Sequence, residues 1–391
     1  MNSAHTLPQL ANWTDHTRVP YALYTDEEIF RREMDVFFYG PMWHPVALEA
    51  ELPQPGDYKT AYLGETPVIA IRSAKDEFTV VVNACAHRGV QITTDFKGHA
   101  TDFTCPYHGW AYDIEGQLRA VPGEERFPEH FDRRDFGLRR LRTVRYGQVL
   151  WATFSDETPP IEDFLGDTVP SFRAAMGGGD RPLQVLGYQK VVFNCNWKVY
   201  MDNDGYHAGL LHTAFRMLDY QGGKADLIAG GDAGHWGSHY GSKPIADNGF
   251  LADATLIGSL GEGAEKTAAV NLIRPVTQAV KHLNTINFRF GRPLGVDRTE
   301  VHYTYLAYAD DPPEMLQHRI RQSANFLGPS GFVSIEDGSM FDRVQKAAHA
   351  PEGTINFLKG LRDHPDGWRS LQNDEVGNTP WWAYYRRMMG L

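Results

Sequence analysis

The sequence predicts an α+β protein in which an all-β domain precedes a larger domain of mixed helices and strands. After residue 38, short segments rich in β-branched and aromatic residues lie between turn signals. A Pro- and Asp-rich stretch at 156–170 ends this region, and strand-like and helix-like segments follow it. We therefore expect a helical N-terminal segment at 1–38, an all-β domain at 39–155 and an α+β domain at 156–391.

Size and charge limit the possible functions. The chain has 391 residues, 42% of them hydrophobic, which is enough for two or three domains with buried cores. The formal net charge of −11 argues against nucleic acid or an anionic membrane as a partner. The sequence has no run of 18 apolar residues for a membrane span and no apolar signal-peptide core near its start. Of the 3 cysteines, Cys195 has no evident partner, so a reducing cytoplasm is the expected location.

One helix and several strands are predicted in the first half of the chain. Thr25-Asp26-Glu27-Glu28 has the Thr-x-x-Glu pattern of a capping box, and the apolar residues after it predict a helix to about Phe38. The predicted strands are Thr66–Ile71, Phe78–Val82 and Gln148–Phe154.

The second half mixes both kinds of element. Leu183–Phe193 alternates like a strand, and Ile286–Phe290 with Val301–Ala307 predicts a hairpin closed by the residues between them. Asp311-Pro312-Pro313-Glu314 predicts a helix start with Asp311 as its N-cap. The Gly-rich residues 221–248 predict a long loop at the mouth of a pocket.

Two Cys–His pairs in the predicted all-β domain carry the strongest chemical signal. Cys85-Ala86-His87 is followed, after seventeen residues, by Cys105-Pro106-Tyr107-His108. Two thiolates on one iron and two imidazoles on the other are the ligand set of a Rieske [2Fe–2S] centre. Because imidazoles donate less charge than thiolates, such a cluster has a reduction potential of roughly −150 to +300 mV. The predicted ligands of this one-electron relay are Cys85, His87, Cys105 and His108.

A structural zinc site is the alternative interpretation, since two Cys and two His are also a zinc ligand set. Zinc needs all four donors around one ion, and Cys-x-His is an unusual half-site for it. Gly89 and Gly109 favour the cluster, because glycine lets the backbone approach the sulfurs and its amides can donate hydrogen bonds to them. The two loops resemble those of Rieske proteins, which have the patterns Cys-x-His-Arg-Gly and Cys-Pro-Tyr-His-Gly-Trp.

An electron relay requires an electron consumer, and a second metal motif lies in the predicted α+β domain. Asn196-Trp197-Lys198 is followed by Asp204-Gly205-Tyr206-His207 and, five residues after His207, by His212. Residues five apart on a regular helix point about 140° apart, so these histidines can share a metal only across a distorted turn. In a chain with 16 histidines, two ordinary helix histidines are the alternative.

Together the two motifs resemble those of the Rieske non-heme iron oxygenases, the large (alpha) terminal oxygenase subunits that hydroxylate aromatic rings. The resemblance extends over essentially the whole chain, to a closing helix at Trp381–Arg386. It implies an all-β Rieske domain and a helix-grip catalytic domain, an antiparallel sheet with helices, on which residues 1–38 pack. It also implies a mononuclear Fe(II) with two histidine ligands and one carboxylate ligand. The residues that match these ligands are His207, His212 and Asp337.

The carboxylate comes from the family's Gly-Pro-x-Gly-Phe segment with an acidic pair behind it, here residues 328–337. The second acidic residue, Asp337, matches the family ligand, and Glu336 is the alternative.

The resemblance assigns a further role to Asp204. In the family this residue joins His207 of one subunit to His108 of the neighbouring subunit, so the working unit is a ring of three chains. Asp202 is close enough in sequence to compete for the role. Asp204 is preferred because it stands three residues before His207, on the same helix face.

The implied activity is ring mono- or dihydroxylation of an aromatic substrate with O₂ in aromatic-compound catabolism. Electrons come from NADH or NADPH through a separate reductase, with or without a ferredoxin, and the assembly is a homotrimer or an α3β3 complex with a small beta subunit. Val301–Ala307 and Trp381–Met388 are similar to segments of enzymes for aromatic acids such as salicylate, benzoate and anthranilate. An acid substrate requires a buried arginine, and Arg216 and Arg289 are the candidates.

Three alternative functions stay open at this point. One is an N- or O-demethylase of the same family. The other two are an electron-transfer protein, whose second half serves for docking, and a zinc-binding interaction protein.

Overall fold

Two structural units divide the chain. A computed structural model describes residues 10, 12–74, 77–179, 181–203, 225–241, 249, 252–253, 256–261 and 267–391. The small unit is Phe37–Ile161, and the large unit combines Met1–Val36 with Glu162–Leu391.

Helices lie mainly in the large unit. They are α1 (Ala22–Thr25), α2 (Glu27–Glu33), α3 (Ile161–Leu165), α4 (Val169–Ala175), α5 (Trp197–Met201), α6 (Pro313–Gln322), α7 (Ser334–Ala347) and α8 (Thr379–Met389). Two π-helical segments, Met34–Phe38 and Ser323–Leu327, continue α2 and α6. Within the described ranges, none of the helices is long and apolar enough to cross a bilayer.

Strands make up most of the small unit. After β1 (Arg18–Pro20) of the large unit, they are β2 (His44–Leu48), β3 (Asp57–Leu63), β4 (Thr66–Ala74), β5 (Glu77–Val82), β6 (Lys97–His99), β7 (Asp102–Thr104), β8 (Ala111–Asp113), β9 (Leu118–Ala120), β10 (Arg142–Tyr146) and β11 (Val149–Thr153). They form antiparallel sheets in the orders β5-β4-β3-β6, β10-β11-β2 and β7-β8-β9. The predicted all-β character of this region is confirmed.

A single antiparallel sheet dominates the large unit. Its strands are β12 (Leu183–Phe193), β13 (Asp226–Gly230), β14 (His235–Gly241), β15 (Thr267–Ile273), β16 (Thr277–His282), β17 (Thr285–Gly295), β18 (Arg298–Tyr308) and β20 (Arg369–Leu371), while β19 (Thr354–Asn356) pairs with β1. The order across the sheet is β12-β18-β17-β16-β15-β14-β13-β20.

The two faces of this sheet have different surroundings. Because side chains alternate along a strand, cross-strand neighbours Gln278, Arg289 and Tyr303 lie side by side on one face. On the other face α4 packs against β14–β16, where the Ser171 hydroxyl donates a hydrogen bond to the Asn271 side chain. The face that carries Arg289 is therefore the one left for a site.

The predicted N-terminal helix extends to Phe38 as expected, but its predicted cap is wrong. Asp26 is the N-cap of α2, since its Oδ1 accepts hydrogen bonds of 2.9 Å from the Glu28 and Ile29 amides. Thr25 instead ends α1, and its hydroxyl donates to the Tyr21 carbonyl. Thr25 does not cap α2 because it is the last residue of the short helix α1, which ends immediately before α2 begins.

Two predictions in the second half are right in kind and shifted in detail. The hairpin forms, but β17 and β18 extend further than predicted and meet at a tight turn after Gly295. The predicted helix begins at Pro313, with Pro312 rather than Asp311 as its N-cap. Asp311 accepts hydrogen bonds from the Tyr308 amide and from Arg319 Nε, at 2.8 and 2.7 Å. Its carboxylate therefore binds the end of β18 and a side chain of α6 instead of capping the helix.

The predicted loop at 221–248 is wrong where the structure describes it, because β13 and β14 form a hairpin there. Its glycines provide close packing. A Cβ on Gly231 would collide with the Phe164 carbonyl, and a Cβ on Gly234 would lie 2.6 Å from the Trp381 amide nitrogen. Both have positive φ angles, of 63° and 58°. Glycines are frequent here because the backbone makes close contacts at these positions. A sequence pattern alone does not distinguish such packing from a flexible loop.

Buried neutral histidines make the fold sensitive to acid. Burial lowers the pKa of His44 to about 4, of His235 to about 3 and of His282 to about 4. Since the unfolded chain takes up protons below its pKa of about 6.5 while these folded side chains do not, stability is full above that pH and falls below it. At pH 5 each histidine should cost about 2 kcal/mol of unfolding free energy. Denaturant unfolding at pH 7 and pH 5 measures this loss.

Two variants test whether the buried histidines cause the loss of stability at pH 5. His282→Gln should flatten the pH dependence by one histidine's share, whereas His99→Gln, which changes an exposed side chain, should not. Asp202 acts in the opposite direction, because burial raises its pKa to about 6, so it offsets only about 1 kcal/mol of the loss. Equal unfolding free energies at the two pH values would contradict the prediction.

Candidate metal centres and active site

The two Cys–His loops of the small unit have the same backbone structure. The Gly89 amide donates to the Cys85 carbonyl at 2.8 Å, and the Gly109 amide donates to the Cys105 carbonyl at 3.0 Å. Gly89 and Gly109 have φ angles of 73° and 74°, a region that favours glycine. The sequence suggested that these amides donate to the sulfurs. In the structure they donate to the cysteine carbonyls instead and close tight turns.

These turns separate the two kinds of donor. Cys85 and Cys105 are buried, whereas His87 and His108 are partly exposed, with ring centroids 4.6 Å apart. The exposed Tyr107 ring lies 3.8 Å from the His108 ring, centroid to centroid. Thiols thus face the interior, and imidazoles face the surface.

The donor set fits two metals better than one. No three His, Cys, Asp or Glu side chains of the described residues are arranged to hold a single ion, as structural zinc would require. His87 Nδ1 is buried without a hydrogen-bond partner among these residues, a cost of about 1–3 kcal/mol unless a metal binds it. Two separate pairs of donors, one of which includes a buried nitrogen without a partner, would fit a cluster of two irons better than a single ion.

Aromatic side chains surround the pairs. The Trp110 ring stacks on His87, with a centroid distance of 4.9 Å and an interplanar angle of 5°. Tyr112 Oη accepts a hydrogen bond from the Ala86 amide at 3.1 Å and lies 3.2 Å from Cys85 Sγ. Burial, and then the hydrogen bond to Cys85, raises the pKa of Tyr112, so the hydroxyl keeps its proton and can donate it to the sulfur. Trp110 and Tyr112 were not among the predicted site residues.

Of the predicted iron-site residues, His207, His212 and Asp204 lie outside the described residues. The structure does describe the motif that precedes them. Asn196 caps α5, because its side-chain oxygen accepts from the Lys198 amide at 3.0 Å, and its backbone N–H donates to Gln345 Oε1 at 2.8 Å.

The rest of this motif converges on Glu33, which is fully buried. Trp197 Nε1 donates to Glu33 Oε2 at 2.8 Å, the Lys198 ammonium pairs with the same carboxylate at 2.6 Å, and the Tyr385 hydroxyl also donates to it. The Asn-Trp-Lys motif therefore positions α5. Glu33 could not be found from sequence, since it lies more than 160 residues from its partners.

Asp202 has an internal role. Its Oδ2 accepts from the Tyr24 hydroxyl at 2.7 Å, and its Oδ1 lies 3.8 Å from Arg274 Nη1. Burial raises its pKa to about 6, against the lowering effects of Arg274 and Tyr24. A carboxylate with these contacts points into the large unit.

The segment before α7 is built around glycines. A Cβ on Gly328 would lie 2.5 Å from the Ala324 carbonyl oxygen, and one on Gly331 would lie 2.7 Å from the Phe326 carbonyl oxygen. The Gly331 amide donates to the Gly328 carbonyl at 2.8 Å. This turn carries the chain from the π-helical Ser323–Leu327 into the first turn of α7.

Helix periodicity separates the two candidate carboxylates on α7. Asp337 is four residues before the buried Phe341, whereas Glu336 is four residues before Met340, which is 40% exposed. Burial raises the pKa of Tyr303, while Arg289 lowers it and Asp337 raises it, so all three side chains share one electrostatic environment. Asp337 therefore lies nearer the buried side of α7 than Glu336 does.

The comparison with known families covers both units. The family described as Rieske [2Fe-2S] domain matches residues 42–140, and the family described as ring hydroxylating alpha subunit (catalytic domain) matches residues 181–367. This chain is a Rieske ring-hydroxylating oxygenase alpha subunit. The family prediction and the predicted fold class are confirmed.

Curated relatives agree with this family. The large subunit of anthranilate 1,2-dioxygenase from Burkholderia cepacia is 34% identical, over 96% of this chain and 94% of its own length. Subunit alpha 2 of the terephthalate 1,2-dioxygenase terminal oxygenase component from Comamonas sp is 32% identical, over 96% of both. The large oxygenase component of salicylate 5-hydroxylase from Ralstonia sp is 32% identical, over 98% and 97%. A structure of naphthalene 1,2-dioxygenase with bound indole has a TM-score of 0.82 at 19% identity, covering 97% and 93%, and shares the fold.

Family membership settles the cofactors and the reaction class. The oxygenase carries a Rieske [2Fe–2S] cluster and a mononuclear iron, and it hydroxylates an aromatic substrate with O₂. Its electrons originate from NADH or NADPH and arrive through a reductase or ferredoxin. The alternatives of a zinc protein and of a pure electron-transfer protein are thereby excluded, and ring hydroxylation fits the relatives better than demethylation.

The Tyr112 hydroxyl should tune the cluster. A hydrogen bond to sulfur stabilises the reduced, more negative cluster, so Tyr112→Phe should lower its midpoint potential, by about 40 mV for a bond of about 1 kcal/mol. A redox titration followed by EPR measures this. Tyr58→Phe is the matched control, because Tyr58 lies in the same core but directs its hydroxyl to Asp95. Equal potentials for wild type and Tyr112→Phe would show that this hydroxyl does not interact with a cluster sulfur.

Proposed function

We propose that this oxygenase hydroxylates the ring of an aromatic carboxylic acid. Anthranilate, terephthalate and salicylate, in the names of the three relatives, are each an aromatic ring with a carboxylate. The observation that carries the proposal is the position of Arg289 on the open face of the large sheet, where Gln278 and the Leu327 carbonyl hold its guanidinium. A cation that can bind a carboxylate thus lies on the face left for the site.

The proposed ligands of the [2Fe–2S] cluster are Cys85 and Cys105 for the inner iron and His87 and His108 for the outer iron. The burial of both thiols, the orientation of both imidazoles and the unpaired His87 Nδ1 support this assignment. Because both imidazoles are partly exposed, a cluster held by these residues would have its histidine side accessible to an electron-transfer partner.

For the mononuclear iron we propose the ligands His207, His212 and Asp337. The inward side of α7 supports Asp337 over Glu336. Two histidines and one carboxylate leave positions open for O₂, and the bound iron supplies the oxygen activation. The protein's share is positional: Tyr200, Phe193 and Phe341 pack with ring centroids 5.3–5.8 Å apart and keep water from the sheet side of α7.

Electron transfer is proposed to cross a subunit boundary through Asp204, between His207 of one chain and His108 of the next. The engagement of Asp202 with Tyr24 and Arg274 supports Asp204 over Asp202. The partial exposure of His108 and the exposure of Tyr107 make this side of the small unit available to a neighbour. We propose a trimer of this chain, alone or as α3β3 with a small beta subunit. A cytoplasmic location stays a prediction.

The carboxylate assignment can be tested by activity and metal content together. Wild type and Glu336→Ala should contain about three irons per chain, since the cluster holds two. Both should show NADH-dependent O₂ uptake with anthranilate, salicylate or benzoate when supplied with a reductase. Asp337→Ala should contain about two irons, keep the cluster absorption and lose uptake. Full activity of Asp337→Ala with loss in Glu336→Ala would transfer the ligand role to Glu336, and uptake with uncharged aromatics alone would reject an acid substrate.

The bridge can be tested with the neighbouring aspartate as control. Asp204→Asn should keep both metals but lose single-turnover product, because the amide preserves shape and removes the charge that orients both imidazoles. Asp202→Asn should keep transfer. Trimers mixed from Asp204→Asn and Cys85→Ser chains should regain part of the activity, since some intact clusters then face intact bridges. Inactive mixed trimers of well-folded chains would instead favour electron transfer within one chain.

A further inference from the structure

Arg289 occupies an unusual position on the site face of the large sheet. Its Nη1 donates to Gln278 Oε1 and its Nη2 to the Leu327 carbonyl, both at 3.1 Å. The guanidinium carbon lies 4.7 Å from the centre of the Tyr303 ring. These contacts hold the plane of the guanidinium while using only two of its five N–H groups. Arg289 Nε is buried and has no hydrogen-bond partner among the described residues.

The charge of Arg289 also lacks a direct counterion. None of the ion pairs found in the described part of the chain joins it to a carboxylate, although Arg292 and Arg319 have such partners. The Asp337 carboxylate acts on Arg289 without forming an ion pair with it, and as the proposed iron ligand it would be held by the metal. Because Arg289 is only partly exposed and has no carboxylate partner among the described residues, an anion that binds in the site would pair with its charge.

Asn287 provides a second, independent observation. It lies two residues before Arg289 on β17, so both side chains are on the same face of the sheet. The residue is fully buried, yet neither Nδ2 nor Oδ1 has a hydrogen-bond partner among the described residues. By contrast, the buried side chains of Asn284 and Asn196 bond to backbone groups at 2.7–3.0 Å. A buried amide without partners costs about 1–3 kcal/mol, which a ligand can restore.

We propose that Arg289 and Asn287 form the subsite that binds the substrate carboxylate. Arg289 supplies Nε and its free Nη hydrogens for a charge-assisted contact, and Asn287 Nδ2 donates to the carboxylate or to a neighbouring ring substituent. Gln278, Leu327 and Tyr303 position the guanidinium before the substrate arrives. The ring then extends from this anchor toward Asp337. This inference rests on the proposed function and assigns its specificity to two residues of one strand.

Binding measurements on the oxidised, iron-loaded enzyme test the subsite without turnover. Calorimetric titration with benzoate and with benzamide, which has similar shape but no charge, should give tighter binding of benzoate to wild type. Arg289→Gln should weaken benzoate binding about 10- to 150-fold, the range of a charge-assisted hydrogen bond, and change benzamide binding little. Arg292→Gln is the matched control, since it removes the same charge from the other face of β17 and should not alter either affinity.

Asn287→Leu separates a binding role from a structural one. If the amide serves the substrate, this variant loses benzoate affinity while its melting temperature stays equal to or above that of wild type, because an unsatisfied polar group has left the core. A lower melting temperature with unchanged affinity would assign Asn287 to the fold and remove it from the subsite. Arg289→Lys keeps the charge but not the planar fork, and should recover only part of the benzoate affinity.

The outcomes also distinguish this inference from the proposed function. Unchanged benzoate affinity in a folded Arg289→Gln or Arg289→Lys enzyme that still takes up O₂ with aromatic acids would overturn the subsite and leave the proposed function standing. Failure of wild type to bind or turn over any aromatic acid would overturn both. The cluster absorption and the melting temperature of each variant show that it is folded, and Arg289→Lys with Asn287→Leu decides the question should Arg289→Gln not fold.

Discussion

The large unit depends on one buried carboxylate. Glu33 is fully buried and accepts from Trp197, Lys198 and Tyr385, which belong to α5 and α8, while Glu33 itself belongs to α2. Three segments far apart in sequence are therefore tied at one point. Burial lowers the pKa of Lys198, and the Glu33 charge opposes this shift. The Lys198 ammonium is therefore stabilised in the interior by its pairing with Glu33. Removing one member of such a pair typically costs 3–5 kcal/mol, because the other is left charged in the interior.

This anchoring gives the Asn-Trp-Lys segment a structural role ahead of the proposed iron ligands. Asn196 caps α5, Trp197 and Lys198 fasten it to Glu33, and Asp202 at its end is held by Tyr24 and Arg274. The helix is thus immobilised on every side before the chain reaches Asp204. Rigid support of this kind is what ligand residues need to keep a metal geometry.

The two proposed metal centres have different surroundings. In the small unit the thiols are inside and the imidazoles outside, so charge can leave through the surface. In the large unit, Arg289 Nε and the side-chain amide of Asn287 lie on one face of the sheet without hydrogen-bond partners among the described residues. Buried polar groups are normally satisfied, and exceptions concentrate where a ligand completes the structure. On the opposite face of the same sheet, Ser171 donates to the Asn271 side chain, and Asn271 Nδ2 donates to the Ala279 carbonyl.

Local patterns in the sequence were sufficient for the family, the cluster loops, the strand Leu183–Phe193 and the helix beginning at Pro313, because each depends on residues close together along the chain. The proposed choice of Asp337 over Glu336 also comes from a local pattern, and helix periodicity supports it. Only the tertiary structure decided that Asp26 caps α2, that the glycines near 231 pack against α3, and that Glu33 and Tyr112 bond to residues far from them in the chain. In each of these cases the deciding contact joins residues that compete locally or lie far apart in sequence. A linear pattern records neither the competition nor the distance, whereas folding resolves both by burial.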